Sequence, residues 1–186
     1  MEKKVIFVHG YTSSPKKTKY QLIAKKLQTL GIDYSIPQMP GGEYPHSKDW
    51  LEIINREVND SKDPVVLVGH SLGTRAILLY LNKYHQKVDT VVLISPSDQK
   101  SKEKVKGNMA DFYNVNLNFE KIKNLAGKFL VVHSKDDDTL PYEGGVGISK
   151  KLDSEFISYD NMGHFSGEEN AERNATAFVE IVKSVI

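Results

Sequence analysis

Residues 69–73 read Gly-His-Ser-Leu-Gly and directly follow the short apolar run of residues 65–68. This G-x-S-x-G pattern is typical of a buried strand that turns sharply into a helix, which strains the backbone of the serine and exposes its hydroxyl. A Cβ atom at either glycine would collide with the neighbouring strand or helix in so tight a turn. The pentapeptide is short enough to arise by chance. The apolar strand before it and the helical spacing of apolar residues after it nevertheless favour Ser71 as a nucleophile.

Short apolar runs alternate with amphipathic segments along the whole chain. The runs predict six strands, at residues 5–8, 32–36, 65–68, 88–94, 129–132 and 155–159. Helices are predicted between them, the first capped by Ser14 and beginning at Pro15, the last covering residues 168–186. This alternation predicts an α/β fold with a mostly parallel sheet and helices on both faces. In such sheets the reactive groups collect beyond the carboxyl ends of the strands.

The composition is that of an ordinary globular chain. With 186 residues, 39% of them hydrophobic, we expect one domain over residues 1–186, in which residues 97–124 form a small cap or a connector. The 25 basic and 24 acidic residues nearly cancel, so a nucleic-acid partner is not expected, and the absence of cysteine excludes disulfides. No apolar run reaches membrane-spanning length, and the N-terminus has no signal-like core. We therefore expect a cytoplasmic protein without a membrane partner, as a monomer or weak dimer.

A serine hydroxyl needs a base within hydrogen-bond reach, and that base needs a carboxylate to orient it. Among six histidines, His164 lies in a glycine-containing loop between the last strand and the last helix, at the functional edge of the sheet. His9 and His133 close strands and are predicted to be structural, and His70 is the variable position of the pentapeptide. We predict His164 as the base.

The carboxylate is expected in the loop Lys135-Asp136-Asp137-Asp138-Thr139-Leu140-Pro141. Cation-binding loops space their oxygen ligands by two residues and add a distal glutamate, a pattern that is absent here, so we expect neither a metal site nor a cofactor. Serine, aspartate and histidine then follow one another in the chain order of α/β-hydrolases. Two N–H groups should stabilise the oxyanion. Leu72 is predicted to supply one and Tyr11 the other, with Thr12 as the alternative to Tyr11.

The chain resembles the small serine hydrolases similar to retinoblastoma-binding protein 9 and to bacterial YdeN. The resemblance rests on Val-His-Gly-Tyr at 8–11, Asp-Trp-Leu at 49–51, Gly-His-Ser-Leu-Gly at 69–73, Ser-Lys-Asp-Asp at 134–137 and Gly-His-Phe at 163–165. It implies a minimal α/β-hydrolase fold with strand order 2-1-3-4-5-6. In this pattern the acid lies four residues before the loop proline, which selects Asp137. The chain departs from the family at Thr18-Lys19-Tyr20, where members often carry His-Trp, so the acyl pocket is expected to differ.

These residues together predict a serine hydrolase that cleaves a small carboxylic ester through an acyl-enzyme intermediate. Ser71 attacks, His164 moves the proton and Asp137 orients His164. An amidase, a thioesterase or a lipase would use the same residues, because the triad serves all acyl transfers. A protein-binding module on a hydrolase fold is the alternative outside enzymes, and an intact triad argues against it.

Overall fold

A six-stranded sheet forms the centre of the protein. The structure is a computed structural model that describes residues 2–97 and 107–186. Its strands are β1 Lys4–Val8, β2 Tyr34–Ser35, β3 Val65–His70, β4 Val88–Ile94, β5 Ala126–Ser134 and β6 Glu155–Tyr159. Every neighbouring pair is parallel, and the order is β2-β1-β3-β4-β5-β6, which confirms the predicted sheet.

Seven helices in the described residues surround the sheet. They are α1 Thr18–Thr29, α2 Ser47–Asn59, α3 Leu72–Tyr84, α4 Ala110–Tyr113, α5 Phe119–Ile122, α6 Tyr142–Leu152 and α7 Ala171–Lys183. Because side chains alternate along a strand, β1 buries Val5 and Phe7 against α1 and α7, and Ile6 and Val8 against α2 and α3. The parallel strands therefore read as continuous apolar runs rather than as alternating ones. No helix in the described part of the chain is long and apolar enough to span a bilayer.

The predicted start of the first helix was wrong. Helix α1 begins at Thr18 rather than at Pro15, because Ser14 closes a separate turn before it: Lys17 N–H donates to the Ser14 carbonyl and Lys16 N–H to the Ser14 hydroxyl. The second strand is also shorter than predicted, since only Tyr34 and Ser35 pair with β1 at the sheet edge. The final helix begins at Ala171 instead of residue 168, after a loop that forms part of the site.

The segment predicted as a cap or a connector lies partly outside the described residues, which resume at residue 107. From there it carries α4 and α5, and it is fixed to the core. Phe112 is fully buried with its ring edge against Trp50, and Arg75 of α3 donates to the carbonyls of Phe112 and Val115. Its described part therefore packs on the core.

The turn from β3 into α3 brings the helix very close to β1. A Cβ atom on Gly73 would lie 2.0 Å from the Val8 carbonyl oxygen, and one on Gly69 would lie 2.8 Å from the Thr74 backbone. Cβ atoms do not approach other atoms so closely in folded proteins. Both glycines are thus required for the reasons the sequence suggested, one by the neighbouring strand and one by the helix itself.

We predict that Gly73→Ala destabilises the fold by about 3 kcal/mol or more, because the methyl group forces α3 away from β1. Urea unfolding followed by circular dichroism measures this change. Gly31→Ala is the control, since Gly31 has a positive φ of 69° but nothing within 4 Å of its Cβ position. Gly31→Ala should lower the free energy of unfolding by only about 1 to 2 kcal/mol, the cost of a left-handed backbone conformation in a residue with a Cβ atom. Equal losses in the two variants would contradict the proposed steric origin.

Candidate functional site

Ser71 occupies the strained turn between β3 and α3. Its φ of 54° and ψ of −121° lie outside the regions that L-residues ordinarily populate, and its N–H donates to the Ile94 carbonyl at 3.0 Å. The hydrogen bond to β4 and the glycine contacts hold this conformation in place. The side chain therefore stands at the carboxyl end of the sheet, beside the first turn of α3.

His164 and Asp137 come together at the same edge, from the loops that follow β6 and β5. The His164 Nδ1 atom lies 2.9 Å from Asp137 Oδ2 and 3.1 Å from Oδ1. A carboxylate accepts hydrogen bonds, so Nδ1 carries the proton and Nε2 of the neutral ring is left as an acceptor. This is the tautomer that a general base requires.

The Asp137 carboxylate has no exposed area and collects several hydrogen bonds. The backbone N–H groups of Thr139 and Leu140 donate to Oδ1 at 3.0 and 2.9 Å, and His133 Nε2 lies 3.1 Å from Oδ2. Burial alone would raise the pKa of Asp137, but the hydrogen bonds from His133, His164 and Leu140 outweigh it and hold this pKa well below its ordinary range. Asp137 is therefore an anion at neutral pH.

His133 has the structural position predicted for it. Its Nε2 lies between Asp137 Oδ2 and the Leu140 carbonyl, 3.2 Å away, and since both are acceptors, Nε2 must carry the proton. In the described part of the chain, Nδ1 is buried without a hydrogen-bond partner. His133 thus gives Asp137 Oδ2 a second histidine contact beside that of His164. The sequence identified it as a hydrogen-bonded group but not its partner.

The two neighbouring aspartates have other contacts. Asp136 Oδ1 accepts from Gly163 N–H at 2.9 Å and from the Ser134 hydroxyl, so this carboxylate braces the loop that carries His164. Asp138 is exposed and accepts from the Thr139 hydroxyl. Of the three aspartates, Asp137 alone contacts His164 among the hydrogen bonds of the described residues.

His70 is not a free position, as the pattern suggested, but a buried part of the site. Its Nε2 lies 2.7 Å from the His164 carbonyl, which is an acceptor, so His70 is the donor. Burial, together with the nearby Lys19 ammonium, holds the pKa of His70 well below its ordinary value. The ring is therefore neutral, and it supports the backbone of His164 from below.

The loop of residues 161–167, which we call the His164 loop, is held through three successive carbonyls. His70 of β3 donates to His164 O, Lys19 of α1 donates to Phe165 O at 2.7 Å, and Asn174 of α7 donates to Ser166 O at 2.9 Å. The loop contains three residues with positive φ, at positions 163, 165 and 167. Side chains from three elements therefore fix a strained backbone at the position of the predicted base.

A cavity of about 620 Å³ opens beside Ser71 and His164. Its apolar wall comes from the start of α3, the region of α4 and the loop after β5, with the side chains Leu72, Met109, Tyr113 and Leu140. Its charged lining comes from Lys17, Lys19 and Glu168. The two residues predicted to attack and to accept the proton thus share one cavity.

The predicted oxyanion donors also border this cavity. Leu72 is the first residue of α3, so its N–H has no acceptor within the helix. Tyr11 lies in the loop after β1, which passes close to the nucleophile: a Cβ atom on Gly10 would lie 3.1 Å from the Ser71 Cβ atom. His9, which was predicted to be structural, is buried and forms hydrogen bonds with Gly10 O and with the Met39 N–H group. The roles of Tyr11 and Leu72 stay predictions.

Lys19 was missed as a site residue, although it stands at the departure from the family pattern. It is 8% exposed, and its Nζ lies 5.0 Å from the Tyr20 ring centroid and 4.7 Å from that of Phe178. Burial lowers the pKa of Lys19 to about 7, and attraction from Glu168 opposes this only in part. A lysine at a helical position next to an apolar face gives no sequence signal of burial, because lysines mostly lie on surfaces.

We predict that Lys19→Met raises the thermal midpoint at pH 6. The folded pKa near 7 lies below the ordinary 10.5, so the unfolded chain binds the extra proton between these values and stability rises with pH across that window. Below pH 7 the folded state bears the full cost of burying the protonated Lys19, about 5 kcal/mol. The variant avoids this cost but leaves Phe165 O without a donor, which costs only about 1 to 3 kcal/mol.

Differential scanning calorimetry between pH 6 and pH 10 measures this effect. The stability difference between Lys19→Met and the unmodified protein should shrink as pH rises. Lys16→Met, which alters an exposed lysine nearby, should show no such pH-dependent difference. A lower midpoint for Lys19→Met at pH 6 would mean that the ammonium stabilises the fold.

The chain is similar to known proteins over nearly its whole length. The family model described as serine hydrolase matches residues 5–178. The Bacillus subtilis protein YdeN is 27% identical over 177 residues, which cover 91% of this chain and 89% of YdeN. The crystal structure of YdeN superposes with a TM-score of 0.84 at 24% identity and covers 100% of this chain and 98% of YdeN. The structure of Est1E from Butyrivibrio proteoclasticus, with ferulic acid bound, has a TM-score of 0.76 at 16% identity and covers 98% of this chain and 88% of Est1E. The structure of a monoacylglycerol lipase from Paleococcus ferrophilus has a TM-score of 0.71 at 18% identity and covers 98% of this chain and 95% of the lipase. With the sheet order, these similarities identify a minimal α/β-hydrolase fold. The chain belongs to the serine hydrolase family.

Proposed function

We propose that the protein hydrolyses carboxylic esters through an acyl-enzyme intermediate. The observation that carries the proposal is that Ser71, in a strained turn, shares one cavity with His164, whose Nδ1 is held by the buried carboxylate of Asp137. A serine, an imidazole of the correct tautomer and an ionised carboxylate are the groups that acyl transfer requires. The three lie at the carboxyl edge of the sheet, where such folds place their reactive groups.

In the proposed reaction, His164 Nε2 takes the proton of Ser71 as the hydroxyl oxygen attacks the ester carbonyl. The Tyr11 and Leu72 N–H groups stabilise the oxyanion of the tetrahedral intermediate. The intermediate collapses with transfer of the proton from His164 to the leaving alcohol, and a water molecule activated by His164 then releases the acid from Ser71. Asp137 stays ionised throughout and stabilises the imidazolium.

Two further observations support an ester as the substrate. A monoacylglycerol lipase has the same fold, and the name of that protein specifies an ester. The cavity is also of the size that holds a small molecule, since ligand pockets typically measure about 300 to 1,000 Å³. The proposed substrate is therefore a small ester that fits beside Ser71.

We predict that a fluorophosphonate probe labels the protein at neutral pH and that Ser71→Ala abolishes labelling. His164→Ala should slow labelling on the order of 10³-fold, since the serine then has no base. Gel fluorescence over time measures the rates, and circular dichroism checks folding. Ser13→Ala and His46→Ala are matched controls, because Ser13 lies in the same cavity and His46 is exposed. Absence of labelling in the folded protein would contradict an activated serine and favour a binding function.

We further predict that Asp137→Asn lowers kcat for a 4-nitrophenyl ester on the order of 10⁴-fold, because an amide no longer fixes the Nδ1–H tautomer of His164. Asp138→Asn should change kcat by less than about threefold, because Asp138 is exposed and its hydrogen bond in the described residues is with Thr139. The comparison uses steady-state kinetics at pH 8. A larger loss of kcat in Asp138→Asn than in Asp137→Asn would mean that Asp138, and not Asp137, is the acid.

A further inference from the structure

The three groups that hold the His164 loop differ in charge. His70 and Asn174 hold the carbonyls of His164 and Ser166 with neutral N–H donors, whereas Lys19 holds Phe165 O with an ammonium. A neutral donor satisfies a carbonyl without the cost of burying a charge. The contact with Phe165 therefore explains why a donor stands at position 19, but not why that donor is charged.

The ammonium of Lys19 has little compensation within the protein. In residues 2–97 and 107–186 its one hydrogen-bond acceptor is Phe165 O, and no carboxylate lies within ion-pair distance of Nζ. Glu168 is the acidic group that influences it, and the Glu168 carboxylate is exposed and lies 3.9 Å from Lys17 Nζ. Buried charges in proteins are ordinarily paired, so Lys19 is an exception that a second, negative group would resolve.

Lys19 belongs to the same cavity as Ser71 and His164. Among the described residues, the charged side chains that line this cavity are two lysines and one glutamate, which leave one excess positive charge when Lys19 is protonated. Met109 and Tyr113 also line the cavity and add apolar surface to it. A ligand that matches both features carries a hydrocarbon portion and an anionic group.

We propose that Lys19 selects substrates that bear a carboxylate, so that the protein prefers half-esters of dicarboxylic acids to neutral esters of the same chain length. The inference rests on the ester hydrolysis proposed above and adds its substrate class. The carboxylate approaches the Lys19 ammonium while the ester carbonyl lies at Ser71. Lys19 is then a specificity-determining residue, in addition to holding Phe165 O.

The test compares monoethyl succinate, glutarate and adipate with ethyl butanoate, pentanoate and hexanoate, so that each anionic ester has a neutral partner with the same number of acyl carbons. Acid release, followed with a pH indicator, gives kcat/KM for each ester. The variants are Lys19→Gln, which keeps a donor for Phe165 O without the charge, Lys19→Met, which removes both, and the exposed control Lys16→Gln.

In the unmodified protein, at least one half-ester should have a higher kcat/KM than its neutral partner. Lys19→Gln should lower that ratio by roughly ten- to a hundredfold, the usual value of a charge-assisted hydrogen bond, and Lys16→Gln should leave it unchanged. Equal losses for anionic and neutral esters in both Lys19 variants would overturn the proposal and reduce Lys19 to a support of the loop. Hydrolysis of neutral esters without any preference would also overturn it, yet leave the proposed esterase intact, whereas no hydrolysis of any ester would defeat the esterase itself.

The pH dependence supplies a second readout. The ratio of kcat/KM for the two esters of a pair should fall above about pH 7, as Lys19 loses its proton, and should be flat in Lys19→Gln. The titratable groups around Lys19 are His9 after β1, Tyr20 of α1, His70 of β3, His164 and Glu168. The proposed base His164 serves both esters of a pair, so its contribution cancels in the ratio. A ratio independent of pH in the unmodified protein would contradict the proposal.

Discussion

The close approach of α3 to β1 is the constraint on which the site depends. The Gly73 backbone touches the Val8 carbonyl so closely that no side chain fits between them, and this contact sets the angle at which the chain leaves β3. The same turn contains Ser71 in its strained conformation and brings Leu72, the first residue of α3, to the edge of the cavity. Loss of either glycine would therefore disturb the strand, the helix and the nucleophile together.

The buried titratable side chains around this turn differ in charge. Asp137 is buried and anionic because four N–H donors face it, while His70 and His9 are buried and neutral because nothing stabilises their charged forms sufficiently. His164 stands between these two environments, with a carboxylate on one nitrogen and the cavity beside its ring. Among the residues that the structure describes, the Asp137 carboxylate is the ionised group that contacts the His164 ring.

The sequence predicted the parts of this arrangement that leave a local pattern. Ser71 followed from the pentapeptide, the sheet order and Asp137 from the family resemblance, and His164 from its loop at the functional edge. The contact between His164 and Asp137 could be anticipated because the ends of parallel strands meet at one edge. By contrast, the start of α1 was predicted three residues too early, since Ser14 caps a turn as readily as a helix.

The supports of the His164 loop could not be predicted, for a physical reason. The three supports belong to different elements, and each contacts the loop through a backbone carbonyl: His70, Lys19 and Asn174. Every residue has such a carbonyl, so the residue types of the loop do not reveal the contacts. A carbonyl accepts a hydrogen bond from any donor, so no pairing of residue types marks the contact. The burial of Lys19 could not be predicted either, because it depends on the packing of α1 beside α7.

The attachment of this loop to α1, β3 and α7 also has a consequence for the order of folding. Asn174 lies on the last helix, so the third attachment forms only when the end of the chain docks beside α1. A nascent chain that has completed the sheet as far as β5 already contains the turn of Ser71, but β6 and the loop that follows it are still to come. Ser71, the proposed nucleophile, thus precedes the proposed base His164 along the chain, and the loop of His164 gains its third attachment only when α7 is in place.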